Sequence, residues 1–425
     1  MQNTRTFNPR WFGFFCILTS LGFNRYTVPY LFFFPPPLES SLLIDMVGII
    51  EIVLFLVGLG VFFFRPSIPK PKLGEVLLTG VSVFLTLLLS ELAAQYWLEH
   101  IAHKEQLEQY GGYDTFLRNK VSFIPHHYLN YAPNPDYELH NDLGYRGDSF
   151  PLEKPEGEFR IVAIGGSTTY SSRVSDNAHT YPAQMEKLLK EQYRCPAIRV
   201  INGGMKGYTS FENLINLMFR VLDLNPDLVI VYQATNDVHT RLVDPVAYRG
   251  DNSGYRRQWK IPYQIFWDRL ILIRILRVKL GINYPFSIQN FVGAPTQKTR
   301  IEKSILLESN PPVYFERNLK SMIALAQIHP FQLMFATWAH SPHLNDYAAN
   351  SDYQRAFQEH NNITRKLAQQ HQVPLFDFVE QMPQDPKYWH DGRHVNDAGA
   401  LRKAELFTDF IVQQQLIPTQ HCEDL

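Results

Sequence analysis

Five short apolar runs, each unbroken rather than alternating, constrain the fold of this chain more than any other feature. They are FRIVAI (159–164), AIRVIN (197–202), DLVIVYQ (227–233), FQLMFAT (331–337) and VPLF (373–376). A strand with one wet face alternates apolar and polar residues. An unbroken run suits a strand buried on both faces, as in a parallel sheet. Helical spacing fills the gaps. Phe315, Leu319, Met322, Ile323 and Ala326 share one helical face. So do Tyr353, Ala356, Phe357, Ile363 and Leu367, behind a cap expected at Ser351 or Asp352. Strand–helix alternation with right-handed crossovers gives a three-layer α/β/α fold, a doubly wound, flavodoxin-like parallel sheet of five strands, expected over residues 158–415.

In such sheets, sites form in the crevice beyond the carboxyl ends of the strands. The residues there are Gly165-Gly166-Ser167-Thr168 after the first run and Asn202 to Ser210 (NGGMKGYTS) after the second. Ala234-Thr235-Asn236-Asp237 follows the third, and Asp391-Gly392-Arg393-His394 follows the fifth, ahead of a final helix. Each has an ordinary explanation alone. Ser can cap a helix, Asn-Asp is common turn chemistry, and Asp and His three apart can be a surface pair. Four such motifs in register at one sheet edge are harder to dismiss.

Taken in this order, the motifs resemble the SGNH hydrolases, also called the GDSL esterase/lipase superfamily, over roughly residues 140–415. The final Asp-x-x-His and the Asn-Asp pair are the most specific parts. VINGGMKGYTSFENL with LNPDLVIVYQATND looks like bacterial SGNH proteins associated with cell-surface polysaccharides. The resemblance implies that Ser167 is the nucleophile, that His394 takes and returns its proton, and that Asp391 orients the imidazole. It implies an oxyanion hole from the Ser167 N–H, a glycine N–H and the Asn236 side chain. Gly207 is the preferred glycine because the family's glycine precedes a polar pair, here Tyr208-Thr209; Gly203 and Gly204 compete. The order Ser…Asp…His suits this family and not the chymotrypsin or subtilisin orders.

The sequence also departs from the family pattern. Gly166 stands where the GDS motif has Asp, and Thr168 where it has Leu. A literal Gly147-Asp148-Ser149 occurs upstream but follows no buried run, and is expected to be a decoy. The implied reaction is cleavage of an ester on a carbohydrate or lipid through an acyl-serine, without a metal or organic cofactor. An O-acyltransferase acting on an extracytoplasmic polysaccharide could use the same triad. A non-catalytic polysaccharide-binding or assembly protein is the third reading, and the intact Ser167, Asn236, Asp391 and His394 speak against it.

The first hundred residues differ in composition. MVGIIEIVLFLVGLGVFFF (46–64) and the run from 76 to about 97 are each near the length of a membrane-spanning helix. The connector holds Arg65, Lys70 and Lys72 and no acid, which places it in the cytoplasm and the following domain outside. A third span is expected at 11–33, interrupted by Asn24 and Arg25; a cleaved signal peptide is its alternative. Met46 would serve as an alternative start. The expected organisation is a membrane region (1–98), a linker and elaboration (99–157) and the hydrolase domain (158–415) with an insertion at 241–310. The expected location is the plasma or inner membrane, with partners in the membrane and in polysaccharide assembly.

Forty basic against 41 acidic residues leave a net charge of −1, without the basic footprint of a nucleic-acid binder. Three cysteines exclude a disulfide-dense scaffold, and no Cys/His cluster suggests a metal. His340 and His343 after the fourth run, His239 and Arg241 after the Asn-Asp pair, and Gly166 are further candidates for substrate contact. Within the insertion, residues 261–281 read as a basic amphipathic helix, suited to a membrane surface or to a lid over the substrate pocket.

Overall fold

The computed structural model describes residues 9–22, 41–64, 72–112, 122–256 except 125 and 128, 266–280, and 301–418 except 345 and 346. It has two compact units, Met1–Asn119 with Ile261–Asn290, and Lys120–Lys260 with Phe291–Leu425.

In the second unit all five apolar runs become strands: β1 (Phe159–Gly165), β2 (Ile198–Asn202), β3 (Leu228–Tyr232), β4 (Gln332–Ala336) and β5 (Leu375–Phe376). They form one parallel sheet in the order β2-β1-β3-β4-β5. The unbroken patterning has the expected cause. Phe159, Ile161 and Ala163 of β1 face a core shared with helices Tyr181–Tyr193 and Asp397–Gln413. Val162 and Ile164, between them, face a second core with Leu217, Val221 and helix Val313–Ile328. The Phe, Val and Ile side chains among these each contribute about 1.5–3 kcal/mol by burial. β5 is shorter than its run because Pro374 has no N–H to give the ladder.

Helix Ser351–His371 spans both cores, with Tyr353, Ala356 and Phe357 in one and Leu367 and Ala368 in the other. Its cap is Asn350, one residue before the expected Ser351. The Asn350 Oδ1 accepts from the N–H groups of Asp352 (3.1 Å) and Tyr353 (3.3 Å).

Residues 122–157 are built into the unit. Phe123–Ile124 pairs antiparallel with Ala132–Pro133, and Tyr131, His140, Tyr145, Arg146 and Phe150 are buried. Arg146 Nη1 donates to the carbonyls of Tyr170 (2.9 Å) and Ser171 (2.7 Å), just past Ser167. Buried polar side chains therefore fix a backbone that has no periodic pattern. Cys195 is disulfide-bonded and Cys16 is a free thiol; Cys422 lies outside the described residues.

The first unit holds helices Pro9–Gly22, Ser41–Phe64, Leu73–His100, Lys104–Tyr110 and Ile271–Lys279. The first two meet through glycines: a Cβ on Gly13 would lie 2.7 Å from the Gly58 carbonyl oxygen. Among the described residues only Leu73–His100 is long and apolar enough to cross a membrane, by length and composition; Gly48–Phe64 is a shorter apolar stretch. Of the two full spans expected, the second falls within Leu73–His100 and the first within helix Ser41–Phe64. Of the third, at 11–33, residues 11–22 are helical and 23–33 lie outside the described residues.

The insertion's amphipathic stretch is helical over Ile271–Lys279, after a 3-10 turn at Phe266–Arg269. Its first-turn amides point at a carboxylate: Glu91 accepts from the N–H groups of Ile271 (2.7 Å) and Leu272 (3.0 Å). An anion there satisfies orphan donors and opposes the helix dipole. Arg274 is buried rather than exposed, and its Nε donates to the Tyr110 carbonyl (2.9 Å).

Candidate active site

Ser167 leaves the end of β1 through two glycines and opens a one-turn helix, Ser167–Tyr170. Both glycines are there for space. A Cβ on Gly165 would lie 2.4 Å from the Tyr232 carbonyl oxygen, and one on Gly166 would lie 2.4 Å from Asn236 Nδ2. The loop before helix Asp397–Gln413 brings in the other partners. Ser167 Oγ lies 2.7 Å from His394 Nε2. On the far side of the ring, His394 Nδ1 lies 2.9 and 3.0 Å from the Asp391 oxygens.

Asp391 is fixed in turn by the N–H groups of Arg393 (2.9 Å) and His394 (2.8 Å). Burial alone would raise its pKa. The bond and charge of His394 and the two backbone N–H groups outweigh burial and hold the carboxyl well below the usual range. An ionised Asp391 accepts a hydrogen bond from Nδ1–H. Nε2 is then left to accept from the serine hydroxyl. This arrangement can activate a serine for acyl transfer.

Three glycines compete as oxyanion donors, and their N–H groups differ. Gly203 N–H donates to the Ala163 carbonyl (2.8 Å) and Gly204 N–H to Asn202 Oδ1 (3.2 Å). Gly207 N–H makes no hydrogen bond among the described residues, and neither does that of Ser167. Asn236 Nδ2 donates one hydrogen to the Tyr208 carbonyl (2.8 Å), which leaves its second free to donate. Behind Asn236, buried Asp237 accepts from Ser210 N–H (3.0 Å), Ser210 Oγ (2.5 Å) and Gln233 Nε2 (2.7 Å). Burial pushes its carboxyl up to about 6 against the pull of those bonds.

The other candidates make no hydrogen bond to Ser167, His394 or Asp391 among the described residues. His239 packs its ring against Tyr347 and Tyr353, and burial, with the Arg393 and Arg256 charges, lowers its pKa to about 3. His340 stacks on Trp338 and packs against Phe357; it makes no hydrogen bond or ring contact to the triad, and burial lowers its pKa. Ser149 of the literal GDS donates to Asp142 (2.9 Å), not to a histidine. Among the described residues no group of three or more His, Cys, Asp and Glu converges.

Sequence reasoning missed Lys403. It is buried, donates to the Thr168 carbonyl (3.3 Å), and sits 3.7 and 3.8 Å from the ring centres of Tyr232 and Tyr181. Its signal was a lysine on the same helical face as Ala400 and Phe407.

A parallel α/β/α sheet with a Ser–His–Asp chain at its carboxyl edge defines a serine hydrolase of the α/β class. The GDSL-like Lipase/Acylhydrolase family matches residues 163–402, more than half of the sequence, and the chain belongs to that family. It is a serine-based esterase/acylhydrolase. No curated protein matches it. Among solved structures, a lipase/acylhydrolase from Enterococcus faecalis is 16% identical, covering 60% of this chain and 96% of its own, with a TM-score of 0.37. An acetyl xylan esterase from Geobacillus stearothermophilus is 17% identical, covering 60% and 94%, with a TM-score of 0.37. A GDSL-like lipase from Bacteroides thetaiotaomicron is 16% identical, covering 62% and 90%, with a TM-score of 0.35.

Proposed function

We propose that Ser167 attacks the acyl carbon of an O-acyl group carried by an extracytoplasmic carbohydrate or lipid. The observation that carries this is the hydrogen-bonded line from Ser167 Oγ through His394 to Asp391. His394 takes the hydroxyl proton as the C–O bond forms. The carbonyl oxygen becomes an oxyanion, met by the N–H groups of Ser167 and Gly207 and by Asn236 Nδ2. Collapse of the tetrahedral adduct expels the alcohol, which takes its proton from His394. Water then repeats the sequence on the acyl-serine and frees the acid.

Two observations support a place at the plasma or inner membrane with the hydrolase unit outside. Helix Leu73–His100 has spanning length and composition, and the connector before it holds Arg65, Lys70 and Lys72 and no acid, which favours the cytoplasmic side for that end. A sugar hydroxyl in place of water would make the same acyl-serine a transferase intermediate, and an acceptor in a polysaccharide-assembly complex would supply it.

The test treats the detergent-solubilised full-length chain with a fluorophosphonate probe beside Ser167→Ala and His394→Ala. Labelling lost in the first and weakened in the second is expected. A folded wild-type chain that does not label would end the proposal. Product analysis on acetylated sugars, with and without a polysaccharide acceptor, then separates hydrolysis from transfer.

A further inference from the structure

The loop that carries Gly207 is gripped from behind by three buried side chains given no role so far. Tyr131 Oη donates to the Lys206 carbonyl at 2.6 Å. Arg256 Nη2 donates to the Gly207 carbonyl. Glu212 holds Arg256 in place, Oε1 to Nε 2.9 Å, and its other oxygen accepts from Thr209 N–H (2.7 Å) and Oγ (2.5 Å). Tyr131 and Glu212 are each 1% exposed and Arg256 6%.

The Lys206 carbonyl and the Gly207 N–H belong to one peptide unit. In a trans peptide the two point in opposite directions within one plane. Turning the carbonyl toward Tyr131 therefore turns the N–H away from it. The restraint matters because Gly207 sits at φ +80, and glycine occupies positive and negative φ at similar cost. Nothing intrinsic to that backbone selects one orientation of the peptide plane. The approach is also tight. A Cβ on Gly207 would lie 2.7 Å from Tyr131 Oη. Tyr131 is held in turn, since its carbonyl accepts from Tyr208 Oη (2.9 Å) and the two rings are 5.3 Å apart.

We propose that Tyr131 is a positioning residue for the oxyanion hole: by holding the Lys206 carbonyl, its hydroxyl aims the Gly207 N–H at the acyl oxygen. The proposal rests on the role given to Gly207 above. Burial keeps the Tyr131 hydroxyl protonated well beyond the usual tyrosine range, so it remains a donor throughout the range in which an esterase works. The cost of losing the hydroxyl falls on the transition state, where the oxyanion forms, and not on ground-state binding.

The test compares wild type, Tyr131→Phe and Asn236→Ala as detergent-solubilised full-length chains. It reads kcat and KM on an aryl acetate, the rate of fluorophosphonate labelling, and Tm. For Tyr131→Phe, kcat and labelling rate are expected to fall about tenfold, short of the hundredfold or more that follows loss of a whole donor. KM should stay within about twofold. Unchanged kcat in Tyr131→Phe beside a large loss in Asn236→Ala would overturn the proposal and leave the oxyanion hole standing. Unchanged kcat in both would remove the hole and the proposal together. Should Tyr131→Phe fail to fold, 3-fluorotyrosine at position 131 decides. It keeps the shape and strengthens the donor, so kcat should hold or rise; a tenfold fall would overturn the proposal.

Discussion

Gly166 is one of two positions where this chain departs from the motif that names its family, and the structure supplies a physical reason for it. Its φ of −87° is open to any residue, so the constraint is space and not conformation. A methyl group there would meet Asn236 Nδ2 at 2.4 Å and the Tyr208 carbonyl oxygen at 3.2 Å. Gly166→Ala should therefore displace Asn236 and lower kcat by about tenfold or more, with little change in Tm. Gly166→Asp, which restores the family's spelling, should do more harm. Wild-type rates in either variant would show that Asn236 has room to move. The literal GDS upstream makes the opposite case. Ser149→Ala should leave fluorophosphonate labelling unchanged, since Ser149 donates to Asp142 and not to a histidine. Ser167, Asp391 and His394 were legible because few residue types can do their chemistry and the strands fix where they emerge. Tyr131, Glu212 and Arg256 were not. Tyr131 and Arg256 act through carbonyls, which any donor can reach, from segments without a period, and Glu212 acts by accepting from Arg256 and Thr209. Lys403 left a fainter mark, a charge on the wrong face of a helix.

Helix Ser351–His371 shows what the element scale adds. Its apolar face was readable from Tyr353 to Leu367, because burial on that face imposes the helical period. Its start was not, because Asn350, Ser351 and Asp352 are all good capping residues and only geometry selects among them. Asn350 takes the role by accepting from both Asp352 and Tyr353. Asn350→Ala should cost about 1 kcal/mol in a denaturant melt, while Ser351→Ala should cost about 0.5 kcal/mol or less. Equal losses would mean the cap is shared. The same ambiguity explains the insertion. Residues 261–281 carry both apolar and basic residues at helical spacing, but the period cannot say which arginine turns inward. Arg274 does, and the carboxylate that meets the first amides of its helix comes from Glu91, far away in the chain.

Over the whole molecule, the buried histidines give the fold a pH dependence that no motif announces. His140 is held between the Asn134 carbonyl and Tyr170 Oη, and burial lowers its pKa to about 4. His360 bonds the Ala356 carbonyl through Nδ1 and has no partner at Nε2 among the described residues, and burial takes it to about 3. A histidine whose pKa falls on folding binds fewer protons folded than unfolded. Its stabilising effect is complete above the unfolded value of 6.5 and is lost as pH falls toward the folded one. Asp237 acts in the opposite sense. Raised from 3.8 to about 6, it binds more protons when folded, and stability falls as pH rises across that interval. His239, likewise lowered by burial to about 3, adds to the other two histidines, and the three outweigh one carboxyl over most of the range. Stability should be nearly level above pH 7 and fall between about pH 6.5 and 4, before most carboxylates titrate. His360→Phe separates the terms. It fills the site against Phe315 and removes both the titration and the unpartnered nitrogen. The difference in unfolding free energy between pH 7 and pH 5 should shrink by about 2 kcal/mol in that variant. An unchanged difference in denaturant melts at the two pH values would mean that His360 does not titrate with the fold.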